Sequence, residues 1–152
     1  PENPITGRLI DKGLHDELTG TAYAVIDGTD GRTHHVRLPG IEALEHSPKL
    51  GGIVELRAIG RPGENKPTLV LAARSDLDLA AQIKAPGATW LDHRLIERGA
   101  GVADGGFGAE VRRAMDARTD HLVSEGLARR YGERTVFERG LLDTLRKREL
   151  DS

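Results

Sequence analysis

After Arg74 the apolar residues stop recurring at every second position and begin to recur at about every 3.6, so the chain has to hold two kinds of structure in series. Before that point, residues 5–12, 22–27, 33–38, 53–59 and 69–73 form short apolar or alternating runs, rich in β-branched side chains and separated by turn residues. The clearest hairpin is Ala22-Tyr-Ala-Val-Ile-Asp, then Gly28-Thr-Asp-Gly31, then Thr33-His-His-Val-Arg-Leu, with glycines at both ends of the turn to take the positive φ a reversal needs. Five short strands with no helical pattern between them point to a small β-barrel, SH3-like or OB-like, because closure removes the exposed edges.

Beyond Arg74, Ser75-Asp-Leu-Asp78 and Thr89-Trp-Leu-Asp92 read as capping boxes with Asp in the place of the usual Glu. They predict helices over 77–83 and 90–98, separated by Pro86-Gly87 and stopped at Gly99. A glycine-rich loop over 99–108 leads into a longer helix with Phe107, Val111, Ala114, Met115, Leu122 and Val123 on one face, ending at Gly126. Leu127-Ala-Arg-Arg and Thr135-Val-Phe-Glu flank Tyr131-Gly-Glu-Arg as a two-stranded ribbon, and a last helix over 141–150 buries Leu141, Leu142 and Leu145. The expected fold class is therefore α+β in two domains: a five-stranded barrel over 1–74 and a helical, winged-helix-like domain over 75–152.

Apolar residues are 38% of the chain and charged residues 30%, a balance that folds rather than staying disordered. The absence of cysteine removes disulfides and thiolate metal sites and favours a reducing, intracellular setting. No apolar stretch approaches the roughly 20 residues that span a bilayer, so no membrane partner is expected, and Pro1 in place of methionine suggests a processed or excised chain. Net charge is only −2, yet residues 112–148 carry 10 basic against 6 acidic side chains, nine of the ten being arginine.

A metal-dependent, tyrosine-type DNA-nicking centre needs two histidines flanking one apolar residue, a third ligand and a nearby tyrosine. The chain has no His-x-His; His34 and His35 are strand neighbours on opposite faces, and Tyr23 and Tyr131 stand beside no such cluster. No catalytic residue, metal or cofactor is expected. His15, Asp16 and Glu17 form a polar corner that reads as a solvated turn, with an independent hydrolase the weakest of the readings. Asp92-His93 and Asp120-His121 read as helix-surface positions, and Trp90 as a core anchor joining the two parts. Gly105-Gly-Phe-Gly108 reads as flexible punctuation before a helix, although its amides suit an anion. The chemistry that remains is cationic: Arg112, Arg113 and Arg118 on the long helix and Arg129, Arg130, Arg134 and Arg139 around the ribbon are candidate nucleic-acid contacts, since guanidinium forks suit phosphate oxygens and guanine edges. Asp116, Asp120, Glu125, Glu133 and Glu138 are interleaved with them and could pair with them instead.

Several long phrases in order carry a family resemblance: Gly7-Arg-Leu-Ile-Asp-Lys-Gly-Leu-His-Asp-Glu-Leu, the hairpin phrase from Ala22, Ala88-Thr-Trp-Leu-Asp, Gly106-Phe-Gly-Ala-Glu-Val-Arg, and Leu141-Leu-Asp-Thr-Leu-Arg-Lys-Arg-Glu-Leu. Together they resemble the C-terminal domain of unknown function of conjugative and mobilisation relaxases, over nearly the whole chain and without a nuclease motif. The resemblance implies a non-catalytic accessory domain that binds origin-of-transfer DNA or relaxosome components during transfer of a plasmid or integrative element. It also implies a bacterial cytoplasmic setting, with passage to a recipient cell alongside the DNA. The competing expectation is a protein-interaction or translocation-signal module read by the type IV coupling protein without DNA contact; no small-molecule substrate is indicated.

Overall fold

The computed structural model describes residues 4–60, 62–63, 65–97 and 101–151; Gly99 and the start of the glycine-rich loop lie outside them. The chain divides into two compact units, one of residues 1–78 with 102–109 and one of 79–101 with 110–152.

The first unit is built on five antiparallel strands, β1 (Ile5–Asp16), β2 (Thr21–Gly28), β3 (Thr33–Leu38), β4 (Ile53–Ile59) and β5 (Thr68–Ser75), in the spatial order β3-β2-β1-β4-β5. Alternation puts Leu9, Ala22, Ala24, Ile26, Leu38, Val54, Leu56 and Leu71 on one buried face. A single 3-10 turn over Ile41–Leu44 packs against β1, β2 and β5 and sets Ala43 and Leu44 on that cluster. The expected barrel closure is not found: among the described residues β3 and β5 stand at opposite edges and the sheet stays open. The physical reason is that the 3-10 turn already covers part of the apolar face that closure would otherwise have to bury. Strand β1 runs four residues past its expected end, to Asp16, because register shifts after Leu9 and Leu14 let it keep pairing with β2.

Residues 102–109 complete this unit. Ala103 donates its amide to the Thr29 carbonyl at 2.8 Å, and the Arg8 guanidinium stands 4.6 Å over the Phe107 ring. Gly108 permits this approach: a Cβ there would lie 2.5 Å from the Ala103 carbonyl oxygen and 2.6 Å from that of Thr29. Of the glycines read as punctuation, Gly106 and Gly108 are thus packing positions, while a Cβ at Gly105 would meet nothing within 4 Å. In the β2–β3 turn only Gly31 takes a positive φ, +83°, while Gly28 pairs its amide with the Arg32 carbonyl at 2.8 Å.

The second unit holds the helices and a hairpin: α1 (Leu79–Ile83), α2 (Trp90–Ile96), most of α3 (Gly106–Ser124), the ribbon β6 (Ala128–Tyr131) and β7 (Arg134–Phe137), and α4 (Leu141–Asp151). Thr89 caps α2 reciprocally with Asp92, as its capping box requires. Ser75 does not form the second box. It closes β5 and its hydroxyl accepts from the Leu77 amide at 3.1 Å, a short serine turn that delays α1 to Leu79. Leu122, Leu127, Ala128, Leu141 and Leu145 form a core with Ala88, Leu95 and Phe137 packed on it. Val123 was expected on the apolar face of α3 but is exposed, whereas Arg118 and Thr119 are buried. Gly126, at φ +75°, follows the helix and lets the Leu127 amide return to the Leu122 carbonyl at 2.8 Å. Among the described residues no helix is long and apolar enough to cross a membrane.

Candidate nucleic-acid interface

The seven candidate arginines do not form one surface. Arg118 points into the second unit with its side chain fully buried. Its Nε and Nη2 donate to the two carboxylate oxygens of Asp92 at 2.9 and 3.0 Å, a bidentate fork. The remaining hydrogens reach the carbonyls of Gln82 and Ile83 at 3.1 Å, Ala85 at 2.8 Å and Gly87 at 2.9 Å. One guanidinium therefore gathers the last carbonyls of α1 and the turn after it, the Gln82 carbonyl also accepting from the Ala85 amide at 3.3 Å. Asp92 is equally committed, accepting from the Thr89 amide at 2.7 Å and the Thr89 hydroxyl at 2.9 Å. Two expectations are corrected here: Arg118 is not available to a phosphate, and Asp92 is not a surface residue. A charge enters a core when its partner and its remaining hydrogen-bond positions are all supplied, as they are at this point.

The ribbon sorts its own arginines by strand alternation. Register pairs Arg129 with Val136 and Tyr131 with Arg134, and these four share one face. All four are exposed, Tyr131 at 59% and Val136 at 45%. The opposite face carries Ala128, which is buried, and Phe137, which packs on the core. Arg130 shares that inner face near the turn and is ion-paired with Asp120 of α3. No ion pair holds Arg129 or Arg134 among the described residues, so two guanidiniums bracket an exposed phenol ring. Arg112 and Arg113 are exposed on α3, and Arg139 is exposed after β7.

A family model for a protein of unknown function (DUF3363) matches residues 1–67 and 63–152. The chain belongs to this family. Comparison with curated proteins and with solved structures gives no match.

The histidines of this DUF3363 member do not gather with carboxylates into one cluster among the described residues. His34 bonds Asp30 at 2.9 Å, and His121 lies 3.7 Å from Glu125 on the same helix. His15, Asp16 and Glu17 are exposed, with Asp16 accepting from the Leu18 amide at 2.9 Å in an ordinary Asx turn. Among the described residues no group of three His, Asp or Glu could hold a metal ion. Tyr131 is the member of the ribbon face that sequence reasoning left unassigned. Its signal was available in Arg129-Arg-Tyr-Gly-Glu-Arg134, because a two-residue turn places residues 129, 131 and 134 on one side.

Proposed function

We propose that the second unit is a non-catalytic DNA-contacting module and that the outer face of its ribbon, Arg129, Tyr131, Arg134 and Val136, lies on the nucleic acid. The observation that carries this reading is the pair of guanidiniums, without an acid partner among the described residues, on either side of an exposed ring. Guanidinium groups hold phosphates, the ring offers a face to a base or sugar, and a narrow ribbon fits a groove. The order helix, helix, long helix, ribbon, helix is that of a winged helix, with β6–β7 as the wing. The resemblance to relaxase C-terminal regions supplies the setting: origin-of-transfer DNA handled alongside an upstream nuclease domain, relaxosome components and the type IV coupling protein.

The test is binding of an origin-region duplex and single strand across a salt series. Replacing Arg129 and Arg134 with alanine removes two phosphate contacts and should flatten the logarithmic salt slope by about 2. Arg118→Met is no test of contact, since that side chain is buried against Asp92 and its loss acts on stability. Unchanged affinity and slope in the Arg129→Ala, Arg134→Ala variant would remove the ribbon from the function.

A further inference from the structure

The first unit carries a second, separate surface. On the face of the sheet opposite its core, Tyr23 lies between Gly13 of β1 and Arg37 of β3, and Val25 lies between Asp11 and His35. The Tyr23 ring rests on Gly13, where a Cβ would come within 3.0 Å of the ring, and its hydroxyl donates to Asp11 at 3.2 Å. Glycine at residue 13 is thus what lets the ring lie across the neighbouring strand rather than stand off it. His15, Tyr23, Val25, His35 and Arg37 line a depression of about 320 Å³. Among the described residues no carboxylate pairs with Arg37, His15 or His35, while the nearby acid, Asp11, is engaged by the phenol.

We propose that this depression is a nucleotide-binding subsite, in which a base stacks on Tyr23 and its phosphate is held by Arg37, with His35 and His15 at the rim. An anchored ring flanked by one unpaired guanidinium and two imidazoles is the chemistry that recognises a planar group joined to an anion. A cavity of this size takes one nucleotide and not a folded partner. The nucleotide can come from a free monophosphate or from a single strand, and the same contacts serve both. The site does not depend on the ribbon, whose residues belong to the other unit.

The experiment uses the full chain with Arg129→Ala and Arg134→Ala in the background, so that loss of ribbon binding is separated from this site. Deoxyadenosine monophosphate, a short oligodeoxyadenylate and an acidic peptide of similar charge are titrated against the histidine imidazole resonances. The expected result is movement of the His15 and His35 signals with a nucleotide probe. Tyr23→Leu and Arg37→Ala should each weaken that binding about tenfold, while Tyr23→Phe stays within about twofold because the ring is kept. Equal affinity for monophosphate and oligomer identifies a free nucleotide as the source, and preference for the oligomer identifies a single strand. Unmoved resonances, unchanged binding in both weakening variants, or acidic peptide binding as tightly as nucleotide would each overturn the proposal.

Discussion

At the scale of single residues, Arg118 decides the most. It spends its hydrogens on one carboxylate and four carbonyls, so removing it strands Asp92 as a buried charge and takes a donor from four carbonyls at and after the end of α1. Arg118→Met is expected to cost about 3–5 kcal/mol, and urea unfolding of the variant measures it. Arg118→Lys should not rescue the loss, since an ammonium cannot reproduce the fork. In the first unit, burial draws the Glu55 carboxyl upward, but hydrogen bonds and charge from Arg57 and Arg74 outweigh it and leave the pKa below the ordinary carboxylate value. A folded pKa below the unfolded one gives stability that is full above about pH 4.3 and fades as pH falls through the folded value. Melting temperature should accordingly drop more steeply below about pH 4 in the native chain than in Glu55→Gln; superimposable acid limbs would refute this.

At the scale of elements, spans were legible because each obeys its own period, while ends were set by local hydrogen bonds. Strands β3 and β4 occupy the expected residues, 33–38 and 53–59. Strand β1 outruns its pattern because a bulge alters the alternation that marks a strand, and α1 starts late because Ser75 turns the chain. The segment 102–109 shows how a loop becomes part of a unit. Gly108 sits between two carbonyl oxygens that cannot move aside as a side chain would. Gly108→Ala is expected to destabilise by about 1–3 kcal/mol, read as a lower thermal midpoint; an unchanged midpoint would show that the loop does not dock as described.

At the scale of the molecule, the chain passes out of the first unit after Asp78 and returns to it for residues 102–109. A piece ending at residue 78 therefore lacks the Phe107 ring beneath Arg8 and the Ala103 amide that bonds Thr29. Such a piece is expected to bind an apolar dye and to melt below the full chain; a dye-free transition at the same temperature would contradict the division. The candidate interface was half legible at this scale. A concentration of arginine between residues 112 and 148 is plain in the sequence. Its separation into the buried Arg118, the paired Arg130 and the open Arg129 and Arg134 is not, because one-dimensional charge counting has no term for which face a side chain takes.

The residues alone determined the α+β class and the change from sheet to helices and hairpin, since periodicity is a local property that each segment carries with it. The pairing of Tyr131 with Arg134, which puts both on one face with Arg129, came from the structure, since the residues alone read 131–134 as the turn. Tertiary structure decided that the sheet stays open, that residues 102–109 join the strands, and that Asp92 and Arg118, 26 positions apart, meet in the core. Those outcomes depend on contacts between distant segments, where a buried charge becomes tolerable only once every partner has arrived.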